Sequence, residues 1–253
     1  MALHWHCHEL FHRMPQGAVA GGIAVVIDVL RASTTIATAL AHGAVAVRAV
    51  PTVEEARLAA SAGAALLGGE RGGLPIAGFD LGNSPREYTP DRVAGRRIVI
   101  TTTNGTAALA ACGAAREIVV GAIVNRAAVA AAVARLARAR GITAVHLVCA
   151  GTDGAVSAED VLAAGAILAA GADAGDALDE AARGAREAFG RVAAAADPRA
   201  ALVAEFRRSP GGSSLVALGM EADLPACAAL DALSVVPWLD AATGEMVPAT
   251  KSG

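Results

Sequence analysis

The chain has 253 residues, enough for one large core or two small ones. Its net charge of −3 and lack of any basic run argue against a nucleic-acid binder. No apolar run reaches the roughly 18 residues of a membrane span without Gly or a charge inside it.

Apolar residues make up 55% and aromatics 3%, so Ala, Val, Leu and Ile must build the core. His4, His6, His8 and Glu9 do not fit a signal peptide. Cys7, Cys112, Cys149 and Cys227 lie far apart with no CxxC, which predicts reduced thiols in a cytoplasmic protein.

Leu3 to Leu10 alternates, which predicts a short edge strand with the three histidines on its polar face. Such a face suits a transition metal, but no neighbouring carboxylate or second cluster supports one. Ile23–Ile27 is an apolar strand followed by Asp28, then Arg31 and the hydroxyls Ser33, Thr34 and Thr35, then a helix stopped at Gly43. Ala44–Val50 reads as a strand closed by Pro51. Thr52 with Glu55 is a capping-box signature for a helix to about Ala62. Ala64–Leu67 reads as a strand, and Gly68 to Asp91 as a long functional loop.

Arg97–Thr101 is again an apolar strand, ending in Thr101-Thr102-Thr103-Asn104-Gly105-Thr106 before a helix to about Cys112. Glu117–Val120 is a strand, and Asn125 caps a helix to about Arg140. The strand, hydroxyl turn, helix and strand thus occur twice, roughly over 23–62 and 98–138, and read as an internal repeat. Thr143–Cys149 is a strand. Ser157 and Asp160 resemble a capping box for a helix to about Ala170. Asp173 to Arg208 reads as helical with a break at Asp197-Pro198, and Ser209 to Ser214 as a turn before a short helix ended by Gly219. A further short helix follows Glu221 and Asp223. Leu233–Val236 reads as the last strand, and the residues after Asp240 as a tail. The expected fold is a single α/β domain over 1–253, a layered sheet of mainly parallel strands with helices on both faces.

An acid at a strand end beside hydroxyls at a helix start is how α/β proteins assemble anion and cation sites. Each of these motifs alone also serves as a simple helix cap. There is no Gly-Lys-Ser/Thr phosphate loop, no Gly-x-Gly-x-x-Gly after the first strand and no Gly-x-Ser-x-Gly elbow. Cys149 has no Arg in a short following loop, which sets a cysteine phosphatase aside. The remaining acids, arginines, hydroxyls and glycines suit phosphate chemistry with Mg²⁺.

Ile-Asp-Val-Leu-Arg-Ala-Ser-Thr-Thr-Ile (27–36), Gly-Glu-Arg-Gly-Gly (69–73), Gly-Phe-Asp-Leu-Gly-Asn-Ser-Pro (78–85) and Thr-Thr-Thr-Asn-Gly-Thr (101–106) resemble the 2-phosphosulfolactate phosphatase (ComB-like) family. Ala-Gly (150–151), Ser-Ala-Glu-Asp (157–160) and the ending from Leu-x-x-Leu-Gly through Asp223 to Val236-Pro237 extend the likeness in order. The resemblance implies an α/β fold peculiar to the family, Mg²⁺ dependence, and hydrolysis of (R)-2-phospho-3-sulfolactate to 3-sulfolactate and phosphate, a step of coenzyme M synthesis.

With the resemblance, Asp28 and Glu70 are the expected Mg²⁺ carboxylates. Arg31 with Ser33, Thr34 and Thr35 is expected to hold one anionic end of the substrate, and Thr103, Asn104, Gly105 and Thr106 the other. Arg71, Asn83, Ser84 and Arg86 are expected to close over it, and Asp160 is either an acid–base partner or a helix cap. The missing Asp-x-Asp pair favours attack by water over an aspartyl-phosphate. A non-catalytic anion binder and a lyase or isomerase on phosphorylated acids are the alternatives. The partner implied is a small anionic phosphorylated substrate, and a homo-oligomer is left open.

Overall fold

Strand β2 (Ile23–Ile27) is buried at every position, and its two faces feed two different cores. Ile23, Val25 and Ile27 pack with Trp5, Leu147, Ile167 and Phe206, whereas Ala24 and Val26 pack with Ile36, Ile98 and Ile100. An all-apolar run rich in β-branched residues is what a strand covered on both faces requires. A computed structural model describes residues 1–63 and 65–249.

The sheet is mixed and eleven-stranded. On one side of it β7 (Glu117–Gly121), β2, β8 (Ala144–Cys149), β1 (His4–His8) and β9 (Ala177–Leu178) pair in parallel. On the other, β4 (Leu66–Arg71), β6 (Arg97–Thr101) and β3 (Ala46–Ala49) are parallel, with β5 (Leu74–Pro75) antiparallel at the edge. The hairpin β10 (Pro237–Asp240) and β11 (Glu245–Pro248) joins them, antiparallel to β7 and β3 respectively. Three antiparallel contacts in a row make the two parallel groups run in opposite senses. The first strand of each expected repeat lies beside the second strand of the other, β2 by β7 and β6 by β3.

Ten helices are described: α1 (Ala32–Ala41), α2 (Val53–Gly63), α3 (Pro90–Val93), α4 (Gly105–Ala111), α5 (Arg126–Arg140), α6 (Ala158–Gly171), α7 (Glu180–Ala193), α8 (Pro198–Arg208), α9 (Pro210–Ala217) and α10 (Asp223–Cys227). None is long and apolar enough to cross a membrane. The predicted strands at Ile23–Ile27 and Arg97–Thr101 and the helix ending at Arg140 match residue for residue at those points. Thr52 Oγ1 does accept the Glu55 N–H at 3.1 Å.

Several expectations are corrected. The histidine strand is not an edge, because β9 pairs outside it. Asp173–Arg208 is interrupted by β9, whose two residues pair with His4 and Trp5. The Gly68–Asp91 stretch is not one loop: β4 continues to Arg71, β5 follows, and α3 begins at Pro90. The start of the strand expected at Ala64 lies outside the described residues. Ser209 is not in a turn before a helix but is itself the cap, its Oγ accepting from Gly212 N at 3.0 Å with Pro210 in the first turn. The last strands begin at Pro237 and do not end before it, and the expected tail contains β11, in the middle of the sheet. Residues 250–253 lie outside the described residues.

Candidate active site

Strand β2 ends because the Asp28 backbone turns back on itself. The Asp28 N–H donates to Ser33 Oγ at 2.8 Å, and the Ser33 N–H donates to Asp28 O at 2.8 Å. Asp28 Oδ1 accepts the first N–H of α1, from Ala32, at 3.3 Å. The carboxylate therefore caps the helix and sits at its positive end. Its other oxygen faces the start of α4, where a Cβ on Gly105 would come within 2.6 Å of Oδ2 and 2.7 Å of Ala32 Cβ. Only glycine lets the two helix starts approach this closely.

From the other parallel group comes Glu70. One of its oxygens accepts Thr103 N–H at 2.7 Å and the other Gly73 N–H at 2.7 Å, and the residue is buried. Asp28 and Glu70 line one cavity of about 150 Å³ together with Leu30, Arg31, Asn83, Thr103 and Asn104. Thr152 and Asp153 from the turn after β8, the Gly72–Gly73 turn, and Gly211, Ser214, Leu215 and Leu218 from α9 and just beyond it complete the wall.

Burial pushes the Asp28 carboxyl up to about 7; the Ala32 N–H opposes this, the charges of Glu70 and Glu159 add to it, and Arg31 opposes it. Arg31 is buried and fully directed: Nη1 donates to Asp223 Oδ2 at 2.8 Å and Nη2 to Gly73 O at 2.7 Å. Asp160 is buried and does not line the cavity. Its two oxygens accept Val29 N–H at 2.8 Å and Gly151 N–H at 2.9 Å, clamping the turns after β2 and β8. Burial, then the charges of Glu159 and Asp28, raise its pKa well above the carboxylate range. It does not bond Ser157, so the capping-box reading is replaced by this clamp.

Of the expected binding residues, Asn83, Thr103 and Asn104 reach the cavity. The hydroxyls of α1 do not. Ser33 Oγ serves the Asp28 N–H, Thr34 Oγ1 donates to Val29 O at 2.9 Å, and Thr35 Oγ1 donates to Asn83 O at 2.8 Å. Thr106 Oγ1 donates to Thr102 O at 2.7 Å, and Gly105 acts by its missing side chain. Ser84 donates to Asp223 Oδ1 at 2.6 Å. Arg71 turns away, donating to Glu70 O, Pro51 O and Thr101 Oγ1. Arg86 is exposed and outside the cavity wall. A short, polar, internally satisfied turn outcompeted the expected anion contacts.

Sequence reasoning gave no role to Asp223 or Glu159. Both are buried, and Glu159 Oε2 has no partner. A Cβ on Gly211 would lie 2.6 Å from Glu159 Oε1, so this acid stands directly behind the cavity wall. The signal for Asp223 was Arg31 itself, because a buried guanidinium demands a counter-charge.

Among the described residues no three His, Cys, Asp or Glu side chains are grouped to hold a metal. His6 and His8 of β1 instead stack on His146 of β8: His8 Nε2 lies 3.1 Å from His146 Nδ1, and the His6 and His146 rings are 4.9 Å apart. Asp28 and Glu70 nevertheless fit Mg²⁺. The donors are hard oxygens, and this ion takes only one or two carboxylates with waters and substrate oxygens. The orphaned Asn83 Oδ1, buried on the same wall, adds a further oxygen without a partner.

An acid-lined crevice between two helix starts, walled by glycine turns, suits a hydrolase of phosphoric monoesters. The family model described as 2-phosphosulpholactate phosphatase matches residues 9–242. A probable 2-phosphosulfolactate phosphatase of Deinococcus radiodurans is 45% identical over 230 residues, covering 90% of each chain. Proteins with the same name from a Synechococcus species and from Symbiobacterium thermophilum are 44% and 43% identical, over 88% of this chain and 92% and 93% of theirs. The chain belongs to the 2-phosphosulfolactate phosphatase family and is a phosphoric monoester hydrolase.

Proposed function

We propose that the chain hydrolyses the phosphate ester of a small acid bearing a second anionic group, (R)-2-phospho-3-sulfolactate or a near relative, with Mg²⁺. One observation carries this reading. Among the described residues the cavity wall holds the acids Asp28, Glu70 and Asp153 but a single cation, Arg31, and that guanidinium is already paired with Asp223. An anion bound by these residues alone would meet a net negative wall. Asp28 and Glu70 would hold Mg²⁺, which when bound supplies the missing positive charge and polarises the phosphoryl oxygens.

The chain's own groups bind, orient and exclude water. Arg31 uses two of its guanidinium nitrogens on Asp223 and Gly73. It keeps further N–H donors for an anion, in the planar fork that suits phosphate. Asn83 lines the same cavity with an unpartnered amide oxygen, and Asn104 lines it at the N-cap of α4. Glu70 fixes Thr103 at that same turn. Leu30, Leu215 and Leu218 are the apolar part of the wall and limit water there. Leu30 stands where an Asp-x-Asp pair would place its second acid, which favours attack of water on phosphorus over an aspartyl-phosphate. The exchanged pairing of β2 with β7 and β6 with β3 supports reading the two strand–turn–helix units, with their parallel strands, as a repeat that faces its helix starts into one crevice.

The test is phosphate release from racemic 2-phospho-3-sulfolactate, from 2-phospholactate lacking the sulfonate, and from a phosphomonoester with no second anion, all in heavy-oxygen water. Release from the first in preference to the third, with solvent oxygen in the phosphate, supports the reading. Conversion without phosphate release points to a lyase or isomerase instead.

A further inference from the structure

Arg31 and Asp223 are 192 residues apart in the chain and meet in the interior, each side chain 2% exposed. Asp223 stands at the start of α10, and its second oxygen accepts Ser84 Oγ at 2.6 Å. Arg31 Nη1 also touches Met220 Sδ at 3.0 Å, and Nη2 holds Gly73 O. The guanidinium therefore has its plane fixed from two separate segments, 220–223 and the Gly73 turn, while Arg31 itself lines the cavity and Asp223 does not.

From this geometry we infer that Asp223 is a positioning residue for the reaction. Resting on the function proposed above, it holds Arg31 in the orientation that receives the phosphoryl group and cancels its charge until an anion arrives. A buried arginine without a partner is costly, so any anion that reaches it in the absence of Asp223 takes over the role of counter-ion. Orientation and affinity then move in opposite directions. Removing the Asp223 charge should loosen the fork, which lowers turnover, and should tighten binding of a small anion beside Arg31. A residue that merely braces the fold would lower the folded fraction and leave anion affinity alone.

The experiment compares wild type with Asp223→Asn for turnover on 2-phospho-3-sulfolactate and for calorimetric binding of inorganic phosphate, both with Mg²⁺. The expected result is kcat lower by about 10- to 100-fold, the scale of a misplaced catalytic contact. Phosphate should bind about fivefold tighter or more, the lower end of usual site-to-site coupling. An unchanged kcat, or a reduced kcat with unchanged phosphate affinity, overturns the inference. If Asp223→Asn does not fold, Ser84→Ala is read in its place. That variant leaves the ion pair but frees one end of Asp223, and a wild-type kcat in it overturns the inference. A wild type that releases no phosphate from this substrate or from 2-phospholactate refutes the proposed function itself, and the role of Asp223 falls with it.

Discussion

Glu70 accepts the amide N–H of Thr103 at 2.7 Å, and this contact ties the end of β4 to the turn that follows β6. Its second oxygen takes Gly73 N–H, so a single buried carboxylate organises two walls of the crevice. Glu70→Gln keeps the shape but turns an amide donor toward one of these N–H groups. The unsatisfied contact should cost about 1–3 kcal/mol of stability, read as a lower denaturant midpoint with unchanged slope. Mg²⁺ affinity should fall in the same variant by calorimetry.

Asp28 gives a stability prediction of opposite sign. In metal-free protein its carboxyl is pushed from 3.8 to about 7, first by burial. Between these values the folded state keeps the proton and the unfolded state has lost it. The Asp28 contribution to stability should therefore fall as pH rises from 4 to 7 and level off above. At 1.36 kcal/mol per pH unit the full effect is about 4 kcal/mol. Asp28→Asn should remove the Asp28 part of this slope, leaving that of the raised Asp160 and Glu159 carboxyls, and be more stable than wild type at pH 8 in chelator, while losing activity. An unchanged slope in the variant would show that another group carries the titration.

The same shift links metal to protons. If Asp28 binds Mg²⁺ as a carboxylate, binding to the neutral form must expel a proton. Apparent Mg²⁺ affinity should rise about tenfold per pH unit below 7 and flatten above it, with proton release visible as a buffer-dependent calorimetric enthalpy. A pH-independent affinity contradicts the assignment of Asp28 as a ligand.

Gly105→Ala places a Cβ 2.6 Å from Asp28 Oδ2 and 2.7 Å from Ala32 Cβ. Alanine favours a helix by about 1 kcal/mol over glycine. Here the overpacking, about 1–3 kcal/mol, outweighs that gain. The variant should melt lower and lose activity further than its folded fraction explains. Arg86→Ala, by contrast, changes an exposed side chain outside the wall. Its stability should stay within about 0.5 kcal/mol of wild type, with activity unchanged.

How much of this was legible depends on the kind of signal. β2 and β6 could be read from Ile23–Ile27 and Arg97–Thr101 because nearly every side chain in them is buried and branched. The β10–β11 hairpin could not, since Pro237 opens it without an N–H and only tertiary context places Trp238 beside Val119. Asp28 was visible as a strand-end acid and Glu70 as an acid of the glycine-rich Gly68–Asp91 stretch, and both line the cavity. The hydroxyls Ser33, Thr34 and Thr35 were visible as a helix start, but their hydrogen bonds go to nearby backbone, a local competition that spacing does not reveal. Arg71 and Arg86 suited an anion by charge alone, and their direction depends on the β4–β5 turn and the short helical turn Pro85–Glu87. Asp223 was hidden because its partner is far away in sequence.

The most direct test of the Mg²⁺-dependent reaction measures phosphate release from 2-phospho-3-sulfolactate by wild type and Asp28→Asn, each with Mg²⁺ and with chelator. The account predicts release by wild type with Mg²⁺, loss of it in chelator, and at least about a 100-fold loss in Asp28→Asn with Mg²⁺. Equal release with and without chelator, or undiminished release by the variant, would contradict it.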